Sequence, residues 1–172
     1  STQGYSSERQ MCIRDREFGL LGAQAWVKAH KDKLPKIANL FNRDGGPEPP
    51  VGISVPQAMY DDFVKISEPI QKIRPDYPFE VKVREPRKRP TRMGGTDASV
   101  FAIEGVPTLG FTTEDFKGYD FDYGEIWHTE RDLYTKNIPE YQEHTATVTA
   151  IIALGVANLD KQLSREGLYT EE

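Results

Sequence analysis

Apolar positions recur at helical spacing in three stretches of the chain and alternate or cluster in four shorter ones. Leu20, Leu21, Ala25 and Val27 give one apolar face, and Lys28, Lys31, Asp32 and Lys33 crowd its end, which predicts a helix from Phe18 to about Leu34. Lys36–Asn42 reads as a strand running into the turn signal Arg43-Asp44-Gly45-Gly46-Pro47. Val51–Val55 reads as a short strand. Met59, Phe63, Val64, Ile66 and Ile70 then predict a helix over Gln57 to about Ile73, and Phe-Glu-Val-Lys-Val at 79–83 predicts a half-exposed strand. A short helix over Ala98–Glu104 precedes a buried strand over Val106–Phe111 and a loop rich in Gly, Asp and aromatic residues to Glu125. The last helix, from Pro139 to about Leu163, is apolar nearly all round and so should pack against a sheet. Alternating helices and strands predict an α/β fold: a three-layer sandwich, a mostly parallel central sheet flanked by helices. In such sheets sites collect at the carboxyl ends of strands, which singles out Asp44.

At 172 residues the chain fits one domain or a large piece of one. Its 27 acidic residues exceed its 22 Lys and Arg, a net charge of −5 that gives no reason to expect a nucleic-acid partner. The one basic run, Glu85–Arg92, is broken by Pro86 and Pro90 and reads as a solvated loop. No apolar stretch approaches the roughly 20 residues of a membrane span. A single cysteine, Cys12, excludes an internal disulfide and a cysteine-built zinc site. A metal here would need carboxylates and some of three histidines.

Ser1–Arg16 shows neither a signal-peptide core nor a helix or strand period. The codons ATG TGT ATA AGA GAC AG(A/G) encode Met11-Cys12-Ile13-Arg14-Asp15-Arg16 and reproduce the mosaic-end adapter of transposon-based sequencing libraries. The expectation is that residues 1–16 are adapter read-through joined to a truncated gene, that Cys12 is not native, and that 17–172 is the C-terminal portion of a larger domain.

Among the histidines, His30 lies near the charged end of a helix and His144 on the last helix, where a place on its polar face is the default. His128 sits between an aromatic loop and a helix, a better position for a ligand. Asp44, flanked by Gly45, suits an Asx-turn as well as a site. Asp97, before a short helix, suits an N-cap. Glu17 opens the first helix, where the dipole favours a carboxylate.

Together these residues form a pattern. Glu17-Phe18-Gly19-Leu20-Leu21-Gly22-Ala23 resembles the Glu-Glu-x-Gly-Leu-x-Gly-Ser/Ala motif of the M28 zinc peptidases. Asn42-Arg43-Asp44-Gly45 falls where that family has its next aspartate. Gly95-Thr96-Asp97 with Phe101 and Gly105-Val106-Pro107 is similar to its Ser-Asp…Phe…Gly-Ile-Pro segment, and His128-Thr129-Glu130-Arg131-Asp132 to its His-Thr-x-x-Asp motif. The contexts of Asp44 and Asp97 look closest to the carboxypeptidase Q-like branch.

The resemblance implies two zinc ions about 3.5–4 Å apart that activate a water against a peptide bond. It makes Glu17 and His128 ligands of one ion and Asp44 a ligand of the other. Thr96, Asp97 and Asp132 receive supporting or substrate-side roles. It implies a peptide or dipeptide substrate and, from the habit of the family, a secreted or periplasmic location. Arg16 stands where the family has its general-base glutamate, and the partner histidine and bridging aspartate would lie in sequence upstream. The chain by itself is therefore expected to be inactive and aggregation-prone. The alternatives are a non-catalytic binding domain on the same fold and a single-zinc enzyme resembling glutaminyl cyclases. The aromatic loop of Tyr119, Phe121, Tyr123 and Trp127 lies beside His128, where it would either line a specificity pocket or pack on the core.

Overall fold

The computed structural model describes residues 19–170. The segment Ser1–Arg16 with Cys12, the proposed ligand Glu17, and Phe18 lie outside them. The elements are α1 (Leu21–Ala29), β1 (Pro50–Val55), α2 (Tyr60–Ile73), β2 (Glu80–Val83), α3 (Asp97–Ile103), β3 (Phe111–Thr113), α4 (Tyr123–Ile126) and α5 (Pro139–Ala157).

Helix α2 shows why the periodicity was informative. Phe63, Ile66, Ser67 and Ile70 fall on one face and are buried. Asp61 and Asp62 in the first turn and Lys72 in the last complement the helix dipole. The buried face meets α5, which turns Tyr141, His144, Val148 and Ile152 inward. Gly155 permits the approach: a Cβ there would collide with the Ile66 side chain. The predicted last helix is six residues too long, and Leu163 is instead buried beyond its end.

The three strands are ordered β2–β1–β3. β1 pairs in parallel with β2, from Gly52↔Glu80 to Val55↔Val83, and antiparallel with β3 at Ile53↔Phe111. Among the described residues the sheet is thus mixed rather than mostly parallel. Lys36–Asn42 is not a strand, and of the predicted strand Val106–Phe111 only Phe111 is one, as the first residue of β3. Lys36–Asn42 and Val106–Gly110 run side by side, but only Leu40 N–H donates to a backbone carbonyl, that of Pro107, at 2.9 Å. The next rung is made by a side chain: Asn39 Nδ2 donates to Leu109 O (3.1 Å), and Asn39 Oδ1 accepts from Leu109 N (2.8 Å). Pro107 has no N–H to give, so a regular ladder cannot form there.

This extended pair separates two apolar clusters. Ala38, Phe41 and Leu109 pack with the sheet, α2 and α5 around Phe63, Ile70 and Ile152. Ile37, Leu40 and Val106 pack with α1 and α3 around Val27, Val100 and Phe101. No helix among the described residues is long and apolar enough to cross a membrane.

Candidate active-site cleft

The loop before β1 is fixed from within. Arg43 Nη2 donates to Gly46 O at 2.8 Å and also to Glu48 O. Burial pushes the Arg43 guanidinium below the ordinary arginine range, and Glu48 opposes the shift. Asn42 Nδ2 donates to Asp44 Oδ2 at 2.7 Å, which orients that half-buried carboxylate. Gly46 has φ +75°, and a Cβ on it would lie 2.9 Å from Phe121 Cε1. The aromatic loop therefore rests against the Asp44 loop.

The segment after that loop is organised by short-range bonds. Asp122 Oδ1 caps α4 by accepting from Gly124 N at 2.8 Å. Thr129 Oγ1 donates to Glu125 O at 2.8 Å, and Glu125 pairs with Lys136 at 3.0 Å. His128 is exposed and takes a left-handed backbone, φ +55°, with the Trp127 ring edge-on to it at 4.9 Å.

Between these two segments and the start of α5 lies a cleft of about 540 Å³, whose walls include Arg43, Asp44, Asp132, Tyr134, Lys136 and Gln142. It brings together two of the predicted residues, Asp44 and Asp132. His128, Thr96 and Asp97 are not among its walls. Asp97 is the first residue of α3, with Thr96 at the N-cap position, so the expected N-cap role is corrected. Its carboxylate is 3% exposed and leaves Oδ1 without a hydrogen-bond partner. His144, expected on a polar face, is fully buried. The periodicity of α5 could have shown this, because His144 falls four residues before the inward Val148 and three after the inward Tyr141. Sequence reasoning also missed Arg43, Tyr134 and Gln142; only Arg43 carried a signal, its adjacency to Asp44.

The sequence model of Peptidase family M28 matches residues 11–152. The chain belongs to this family. The crystal structure of a Peptidase M28 precursor from Shewanella amazonensis SB2B is similar in fold, with a TM-score of 0.64 and 24% identity over 88% of this chain. This M28 chain spans 31% of the length of that neighbour. No curated protein sequence matches it significantly.

Family membership raises the question of a metal. Among the described residues, no three His, Cys, Asp or Glu side chains group closely enough to hold one. Asp44 and Asp132 share a cleft, while His128 is displayed outside it on a left-handed turn. The described donor set is thus not a metal cage by itself.

Proposed function

We propose that this chain is part of a zinc-dependent exopeptidase, an aminopeptidase or dipeptidase nearest the carboxypeptidase Q-like branch of family M28, acting on peptides or dipeptides outside the cytoplasm. What carries the reading is the shared cleft. Asp44 precedes β1 and Asp132 follows α4, yet both line one cavity within the residues that match the family. Carboxylate oxygen and imidazole are suitable zinc donors. In this reading Glu17 and His128 serve one ion and Asp44 the other, Thr96, Asp97 and Asp132 orient ligands or substrate, and the remaining ligands come from the longer protein.

The chain alone is then inactive. Glu17 and His128 give one ion two protein ligands, where catalytic zinc takes three. Arg16 in place of a general base removes a contribution of about 10²–10⁴ in rate.

The test compares the 172-residue chain with the longer protein. Zinc content and hydrolysis of aminoacyl and dipeptide substrates are measured before and after chelation. The longer protein should lose activity with the metal and regain it with zinc, and Asp44→Ala and His128→Ala should abolish it. Hydrolysis indifferent to chelation overturns the metallopeptidase reading. Zinc-dependent turnover by the 172-residue chain overturns its proposed inactivity.

A further inference from the structure

The cations in the wall of the Asp44 cleft, Arg43 and Lys136, are not equivalent. Lys136 Nζ lies 3.0 Å from Glu125 Oε2, so an acid answers its charge. Arg43 makes no ion pair among the described residues. Glu48 acts on it only through space, and Oε2 of that carboxylate accepts from Thr113 Oγ1 at 3.1 Å.

The Arg43 guanidinium is fixed at one nitrogen and free at the others. Nη2 donates to Gly46 O, at 2.8 Å, and to Glu48 O. Nε and Nη1 have no hydrogen-bond partner among the described residues, and neither atom is buried. A half-buried side chain thus keeps N–H donors free beside a cavity of about 540 Å³. Its tie to the loop backbone removes rotamer freedom that a ligand would otherwise have to freeze. Free guanidinium donors suit a carboxylate, which accepts short charge-assisted bonds. A small inorganic anion fits this wall poorly, because Asp44 and Asp132 stand in it too. A short peptide with free ends brings an ammonium as well as a carboxylate and so meets both signs.

We propose that Arg43 is a specificity-determining residue of the cleft and binds the terminal carboxylate of a short peptide through Nε and Nη1. The identity of the ligand rests on the peptidase reading. What Arg43 adds is a preference for a short peptide with a free carboxyl end over its amide.

The test titrates the 172-residue chain with alanyl-alanine and with alanyl-alanine amide at matched ionic strength, following arginine Nε–H signals in ¹H–¹⁵N spectra. The dipeptide should move the Arg43 signal saturably, and the amide should bind about tenfold more weakly or worse, the loss expected for one charge-assisted contact. Arg43→Gln should erase the preference for acid over amide, and Arg43→Lys, which keeps the charge, should retain part of it. The comparison of the two ligands on the wild type decides the matter if a variant fails to fold. An Arg43 signal unmoved by the dipeptide overturns the proposal, as does an amide that binds as tightly as the acid. So does a preference that survives in folded Arg43→Gln and is lost in Lys136→Gln. Inorganic phosphate that displaces the dipeptide at equal concentration overturns the peptide assignment. In the longer protein, Arg43→Gln should raise KM for alanyl-alanine about tenfold and leave zinc content unchanged. Turnover there that ignores chelation overturns the peptidase reading alone, since the binding preference of the 172-residue chain is measured without any turnover.

Discussion

The ring of Tyr77 lies flat on the imidazole of His144, their centroids 4.0 Å apart and their planes within 17°. The pair ties the residues before β2 to α5. His144 Nε2 lies 3.0 Å from Pro50 O. A carbonyl only accepts, so Nε2 carries the proton and Nδ1 faces the interior as an acceptor without a partner. Tyr141, one turn earlier, donates its hydroxyl to Asp115 Oδ1 at 2.6 Å and is pushed up to about 12, first by burial and then by that bond.

Burial holds the His144 pKa below its ordinary value near 6.5. The Pro50 carbonyl and Asp76 oppose the shift, and Arg74 and Lys117 reinforce it. The sign follows from linkage. The unfolded chain takes up a proton on this imidazole more readily than the folded chain does, so the neutral ring favours the fold. That contribution is complete above about pH 6.5 and is lost as pH falls from there through the lowered folded value. The melting midpoint of the wild type should therefore drop between pH 7.5 and 5.5 by more than that of His144→Phe. The phenyl ring keeps the stack on Tyr77 and cannot titrate. It also leaves the Pro50 carbonyl without its donor, at a cost of about 1–3 kcal/mol that does not vary with pH. Parallel pH profiles for the two proteins would refute the assignment.

Much of this was legible in the sequence wherever one face of an element is buried. β1, β2 and α3 lie within a residue of the positions read from the sequence, and α2 begins three residues later than predicted, after a tight turn over Gln57–Met59. What failed failed for local chemical reasons. The strand reading of Lys36–Asn42 did not give its burial: Ile37 and Leu40 face one cluster and Ala38 and Phe41 the other, a spacing of three rather than the two-residue alternation of a strand. It could not show that Asn39 would replace a backbone rung. The Asp44–Asp132 cleft joins segments far apart in the chain, so their nearness is a tertiary fact that neither periodicity nor spacing carries. His144 was misplaced because a titratable residue invites an exposed position, while the register of α5 turns it inward.

Gly155 tests the α2–α5 contact. Ala normally gains about 1 kcal/mol over Gly inside a helix. Here the added Cβ meets Ile66 Cγ2, and Ile66 Cβ itself lies 3.1 Å away, so rotating the isoleucine does not clear the space. Overpacking of this kind costs about 1–3 kcal/mol. Gly155→Ala should lower the melting midpoint despite its better propensity, and adding Ile66→Ala should reveal a favourable coupling in a double-mutant cycle.

Gly46 tests the wall between the Asp44 loop and the aromatic loop. Its φ of +75° costs an L-residue about 1–2 kcal/mol, and its Cβ would press on Phe121 and Tyr123. Gly46→Ala should destabilise the chain by roughly this amount and alter the near-ultraviolet signal of the aromatic loop. An unchanged midpoint with an unchanged aromatic signal would show that the loop yields freely.

Asn42 separates orientation from ligation at Asp44. Its Nδ2 is 2.7 Å from Asp44 Oδ2, which fixes one carboxylate oxygen and leaves the plane of the group defined. If Asp44 is a metal ligand in the longer protein, Asp44→Ala should remove activity outright, because it deletes the donor. Asn42→Ala leaves the donor in place and removes one of the bonds that orient it, a loss that typically costs 10–100-fold in metal affinity or activity. Asn42→Asp should do worse than Asn42→Ala, since it sets a second negative charge against the first in place of a hydrogen-bond donor. The decisive measurement is zinc affinity by competition with a chelator of known strength, run beside kcat and KM. Raising free zinc should rescue Asn42→Ala and leave Asp44→Ala dead. Equal losses in both variants, with no rescue, would mean that Asn42 holds the loop as a whole rather than the carboxylate.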